Sequence, residues 1–149
     1  MRNKIIVALD FDSSSRAVSF VGSLDPSLCR LKIGKELFTA AGPGLVEIMI
    51  KKKFDVFLDL KFHDIPNTVA NAVQAAADLG VWMLNVHISG GSTMMKAAKE
   101  AILSRRGRRP ILIGVTVLTS ISASELKEIG INADLRDHVA NLAQLAYDS

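Results

Sequence analysis

Cysteine, aromatic residues and long apolar runs are all scarce in this chain of 149 residues, and each scarcity excludes something. Cys29 is the single cysteine, so no disulfide can close within the chain, which suits a reducing compartment and predicts a cytoplasmic protein. It reads as a plain strand residue of "CRLKIG" with no chemical duty. Aromatic residues make up only 5% of the chain. The basic run "SRRGRRP" (104–110) therefore has no stacking partners beside it, which argues against a nucleic-acid surface. Its glycine and terminal proline mark it as a solvated loop. No apolar stretch approaches the roughly 20 residues of a membrane span. The run after Met1 is too short for a signal peptide and ends in acids. Net charge is only +3, compatible with an anionic small substrate without demonstrating one.

What is present is a globular balance, 49% apolar and 22% charged, long enough to bury a core. Residues 1–149 are read as a single, partial domain.

Strand-like and helix-like stretches alternate. The strand candidates are "KIIVALD" (4–10), "CRLKIG", "FDVFLDLK", "VWMLNVHIS" and "PILIGVTVLTS". Between them lie "SSSRAVSFVGSL", with serines able to cap a helix start, and "GPGLVEIMIKKK", with lysines suited to a helix C-terminus. "NTVANAVQAAADLG" follows Pro66, which fits a first helical turn, and Gly80 closes it. "STMMKAAKEAILS" comes next, with Met94 and Met95 expected in the core. "SASELKEIG" carries a capping-box spacing from Ser122 to Glu125, and "ADLRDHVANLAQLAYDS" reads as a longer amphipathic helix.

Such alternation predicts an α/β fold with a parallel sheet and helical crossovers. Two architectures compete. A doubly wound nucleotide fold wants a glycine fingerprint after its first strand, and "ALDFDSSS" has none there. A (β/α)8 barrel, the TIM-barrel family, places functional residues at the C-terminal ends of several strands. Here Asp10, Lys32, Asp59 with Lys61, His87, and Thr116 to Thr119 each close a different strand. The barrel is the better reading. A complete one takes about 250 residues, so the chain is expected to supply about the first five βα units.

The chemistry concentrates in "DLKFHDIPNT" (59–68). Charges at the end of a buried strand are costly unless paired or used. Alternation places Asp59 and Lys61 on one face, and Leu58, Leu60 and Phe62 on the other, toward the helices. Lys32, between Leu31 and Ile33, follows the same pattern. The bland alternative is an ion-pair network that only tidies the barrel end. A lysine ammonium held between carboxylates stays protonated, so it is a poor Schiff-base nucleophile and a good proton donor where negative charge develops. That suits a reaction making a carbanion that must be protonated, and decarboxylation is one. Asp10, Asp59 and Asp64 are also hard oxygen ligands, but two lysines among them oppose a cation, so no metal is expected. His87 is read as a satisfied barrel histidine rather than a support for the site, His63 as lying behind it, and His138 as a surface residue.

"DLKFHDIPNT", "ALD", "RLKIGKELF", "TVLTS" and "AADLGVWMLNVHISGG" together resemble the orotidine 5'-phosphate decarboxylase family, bacterial type, along the whole chain. The resemblance implies conversion of orotidine 5'-monophosphate to UMP without a cofactor, in pyrimidine biosynthesis. It implies that Lys61 protonates C6 and that Asp59 opposes the substrate carboxylate. Lys32 and Asp10 would hold ribose hydroxyls and complete the charge network. Asp64, Ile65 and Thr68 would meet the nucleotide, Asp64 and Thr68 in the neighbouring subunit's site, so a homodimer with shared sites is implied. Thr119 and Ser120 would contact the nucleotide, the serine near the base. The family's phosphate-gripping elements follow strands six to eight. These 149 residues alone are therefore expected to be inactive and poorly folded.

A related reading is a metal-dependent hexulose-phosphate synthase or keto-gulonate-phosphate decarboxylase, which shares the Asp59, Lys61, Asp64 spacing. Lys32, where those enzymes place an acid, and "IPNT" point away from it. A third reading is an inactive fragment or assembly partner.

Overall fold

The computed structural model describes residues 5–149. Lys4, where the first strand was expected to start, and residues 1–3 ahead of it lie outside that range.

Five strands form one parallel sheet: β1 (Ile5–Ala8), β2 (Cys29–Gly34), β3 (Val56–Phe62), β4 (Met83–His87) and β5 (Ile111–Val115). They lie side by side in chain order. No reversal of strand order interrupts them, whereas a doubly wound sheet has such a switch point. A sector of a β/α barrel has this order, each strand pairing with the one before.

The two faces of the sheet differ. On β2 buried and half-buried residues alternate: Cys29, Leu31 and Ile33 are buried, Arg30 and Lys32 are not. The buried set joins Val56, Leu58, Leu84 and Val86 in a core with Ala17, Val46, Val73 and Met94 from the helices. Each fully buried aliphatic side chain there stabilises the fold by about 1.5–3 kcal/mol. Register pairs Ile6 with Arg30, Lys32 with Phe57, Phe57 with Met83 and Met83 with Ile111, so these share the opposite face. That face is less covered, leaving Ile6 41% and Ile111 45% exposed.

Among the described residues five α-helices connect the strands, α1 (Ser14–Val21), α2 (Lys35–Ala41), α3 (Pro43–Lys51), α4 (Pro66–Asp78) and α5 (Gly91–Leu103), and two follow β5, α6 (Ala123–Glu128) and α7 (Leu135–Tyr147). Where one helix was expected after strand two there are two, because "KELFTAA" is helical directly after β2. Gly42, with φ of 67°, turns the chain into Pro43 at the first position of α3. Ser13 occupies the N-cap of α1 without a side-chain cap bond, so the expected serine cap is positional only. The capping box does form: Ser122 accepts from the Glu125 N–H, and the Glu125 carboxylate accepts from the Ser122 N–H. Gly80, with φ of 86°, follows α4 in the left-handed position that favours glycine.

Strand five is shorter than expected. It ends at Val115, so Thr116 to Thr119 lie in the segment beyond it. The basic loop is tied to two acids, Arg105 to Asp78 at the end of α4 and Arg108 to Asp55 just ahead of β3 (the latter at 2.7 Å). Among the described residues no helix is long and apolar enough to cross a membrane.

Candidate active site at the C-terminal end of the sheet

The ends of β1, β2 and β3 bring four of the expected charges together. Lys61 Nζ lies 2.7 Å from Asp59 Oδ1. Lys32 Nζ lies 3.4 Å from the other carboxylate oxygen, Asp59 Oδ2, and 3.7 Å from Asp10 Oδ1. The order is acid, lysine, acid, lysine. Asp59 is the buried member, 9% exposed, while the Asp10 carboxylate is largely open to solvent. A hollow of about 220 Å³ runs along this row, lined by Asp10, Lys32, Lys35, Asp59 and Lys61. A larger hollow of about 600 Å³, between Val18 of α1 and Leu45 and Ile48 of α3, carries no titratable group, so size does not locate the chemistry.

Burial pushes the Asp59 carboxyl up. Hydrogen bonds from Lys61 and Asn85, with the charges of Lys61 and Lys32, outweigh it and leave the carboxyl below its ordinary value. Asp59 is thus a carboxylate at neutral pH in a place where an unpaired one would be expelled.

Lys61 reaches Asp59 by a different route from simple alternation. Register slips between Leu58 and Phe62, and Lys61 itself has φ of 52°, the left-handed region that few non-glycine residues occupy. The pair on one face was expected from a straight strand; it is made by a bulged one.

Asn85 was not singled out in the sequence. It is 2% exposed, donates from Nδ2 to Asp59 Oδ1 at 2.7 Å and accepts the Lys61 backbone N–H on Oδ1 at 2.8 Å. A lone amide in the apolar strand "MLNVH" was the available signal, since buried amides are kept only where they are bonded.

The remaining expected residues lie apart from this row. Asp64, Ile65 and Thr68 are exposed where β3 passes into α4, and Asp64 Oδ1 accepts the Ile65 N–H at 2.6 Å. Ile65 is 66% exposed, a large apolar side chain in solvent. Thr119 and Ser120 sit on an exposed turn beyond β5.

The histidines need a correction. His138 was expected on the surface, but it is half-buried and lines a cavity of about 150 Å³ with His63, His87 and Leu142. The helix face that carries it packs over the β5–α6 segment. The His63 and His87 rings stand 5.5 Å apart. Burial lowers the His87 value, and positive charge from His63, Lys35 and Lys61 lowers it further, so this imidazole is held neutral. Among the described residues no three His, Cys, Asp or Glu side chains form a metal-ligand group. Where Asp10 and Asp59 approach one another, the Lys32 ammonium stands between them.

Known proteins resemble this chain closely. It is 57% identical over 146 residues to an orotidine 5'-phosphate decarboxylase of Hydrogenovibrio crunogenus, covering 98% of this chain and 61% of that one. It is 57% identical over 143 residues to the corresponding Vibrio cholerae protein, covering 96% and 62%. The crystal structure of orotidine 5'-phosphate decarboxylase from Lactobacillus acidophilus superimposes with a TM-score of 0.92 at 37% identity, covering 99% of this chain and 68% of that one. The chain thus spans about three-fifths of the length of these curated relatives, and its five strands are a sector of the TIM-barrel fold. The family model described as orotidine 5'-phosphate decarboxylase / HUMPS matches residues 3–149, and on that match, with the relatives beside it, the chain belongs to this decarboxylase family.

Proposed function

We propose that these residues form part of the active site of a decarboxylase converting orotidine 5'-monophosphate to UMP, in one partial barrel domain. The observation that carries the reading is the alternating row in which Asp59 takes Lys61 on one oxygen and Lys32 on the other. An ammonium fixed beside a carboxylate is ready to donate where electron density appears. The substrate carboxylate would sit against Asp59. As CO2 leaves, the electron pair of the broken C–C bond stays on C6 of the pyrimidine, and Lys61 Nζ delivers a proton there. No external oxidant or reductant is required, and the reading needs no cofactor.

The other residues take supporting roles. Lys32 and Asp10 would hold the ribose hydroxyls. Thr119 and Ser120 would touch the nucleotide, the serine near the base. The exposure of Asp64, Ile65 and Thr68 supports a role in a homodimer, with Asp64 and Thr68 extending into the partner's site. The name shared by the curated relatives supports the substrate, and with it pyrimidine biosynthesis.

Phosphate binding supplies much of the energy that organises such a site, and the family's phosphate-gripping elements lie in later strands. The test compares the 149-residue chain with the same chain joined to the C-terminal part of a relative, assayed for UMP formation. The isolated chain is expected to be inactive and the completed one active. UMP formation by the isolated chain overturns only its expected inactivity; a completed chain that makes no UMP, or one that loses activity to a chelator, contradicts the decarboxylase reading, and the last outcome favours the metal-dependent sugar-phosphate enzymes.

A further inference from the structure

β3 is distorted just where the chemistry sits. Leu58 pairs with Leu84 and Phe62 with Val86, so four steps of β3 are matched by two of β4. The surplus is absorbed by a bulge, a device that re-aims side chains. Within it Lys61 adopts φ of 52°, against the clash of its own Cβ. A bulge of this kind persists only where its surroundings hold it.

The holder is visible. Lys61 gives its backbone N–H to Asn85 Oδ1 at 2.8 Å. The Asn85 Nδ2 donates at 2.7 Å to Asp59 Oδ1, the same oxygen that takes Lys61 Nζ at 2.7 Å. The amide can face only this way: turned over, it would set NH2 against an N–H and a carbonyl oxygen against a carboxylate. Both halves of a buried carboxamide are thus spent on two residues of one neighbouring strand.

We infer that Asn85 is a positioning residue for Lys61. Its carbonyl oxygen fixes the backbone turn that swings the lysine toward Asp59, and its NH2 fixes the carboxylate that receives the ammonium. Asn85 touches neither the substrate nor the transferred proton; it acts through its two neighbours. The kinetic part of this inference rests on the decarboxylase reading, whereas the structural part does not.

The test uses Asn85→Leu, which removes both bonds, and Asn85→Asp, which keeps an acceptor for the Lys61 N–H but no longer donates to Asp59 as a carboxylate. Amide hydrogen exchange in the completed chain is followed residue by residue. In Asn85→Leu the Lys61 amide is expected to exchange at least about tenfold faster, as for a lost hydrogen bond, while the Leu31 and Ile33 amides keep their rates. In Asn85→Asp the Lys61 amide is expected to stay protected. In the completed chain, Asn85→Leu is expected to lower kcat roughly 100-fold, the cost of misplacing a reacting group by about 1 Å, with KM changed less than about threefold.

Unchanged exchange at Lys61 in Asn85→Leu, uniform loss of protection in both variants, or equal kcat in wild type and Asn85→Leu each overturns the inference. If the wild-type completed chain makes no UMP, the decarboxylase reading fails and the exchange data alone decide the role of Asn85.

Discussion

The Arg30 guanidinium sits over the Trp82 ring, its carbon 4.0 Å from the ring centroid. Arg30 Nε also donates to Asp55 at 3.3 Å, and Asp55 takes Arg108 at 2.7 Å. All four residues lie at or ahead of strand N-termini, the end of the sheet opposite the Asp59 row. In barrels that end governs stability rather than chemistry.

Arg30→Ala should therefore lower stability by about 1 kcal/mol, from lost stacking and a part-exposed ion pair. Arg30→Lys should recover only part of it, since a lysine does not stack as a plane. Urea unfolding of the completed chain checks both. Turnover by the completed chain should be unchanged in either variant.

Lys61→Ala in the completed chain should lower kcat by at least about 10³-fold, within reach of a lost general acid, while nucleotide binding persists. Single-turnover kinetics with a parallel UMP titration separates the two quantities. A variant that keeps more than a tenth of wild-type kcat would remove Lys61 from the proton-transfer role.

Asp59 gives the chain an acid-sensitive component. Its carboxyl lies below the ordinary value in the folded state, so the unfolded chain binds the proton first as pH falls. The stabilisation is complete above about pH 4, the unfolded value, and disappears as pH drops through the lower folded value. Urea midpoints measured between pH 6 and pH 3 should fall more steeply for wild type than for Asp59→Asn.

His87 acts in a higher window. Burial and the charges of His63, Lys35 and Lys61 depress its value, so the unfolded chain gains a proton at about pH 6.5 while the folded one does not. Stability should begin to decline as pH falls below that point. His87→Gln should flatten the profile between pH 7 and pH 5 and leave the Asp59 component in place.

Gly114 on β5 faces Ile88, and a Cβ added there would meet Ile88 Cγ1 at 2.6 Å. Ile88 is 2% exposed, so its side chain would have to shift within the core. Gly114→Ala should destabilise by about 1–3 kcal/mol, read as a lower thermal midpoint.

Much of the fold is legible from the sequence because β-rich runs alternate with runs of helical pattern, with Gly, Pro or a cap between several of them. Pro66, Gly80 and the Ser122 capping box mark boundaries that the structure keeps. α2 was hidden because it follows β2 with no loop between them. The end of β5 was misplaced because Thr116 to Thr119 have strand-forming side chains, yet Thr116 and Val117 turn aside to line the histidine cavity. In the site, Asp10, Lys32, Asp59 and Lys61 were visible as charges where charge is expensive. Asn85 was not, since its importance depends on a bulge that no local pattern announces. His138 was misjudged because which face of α7 is covered depends on how the helix folds back over the segment after β5, and a helical pattern alone does not show that.

Strand order has a further consequence, for synthesis. Each strand pairs with the one translated just before it, so each pairing becomes possible as soon as the next strand has left the ribosome. Asp10, Lys32, Asp59, Lys61 and Asn85 all lie within the first four strands or at their ends. The charged row can therefore assemble before β5 has been made.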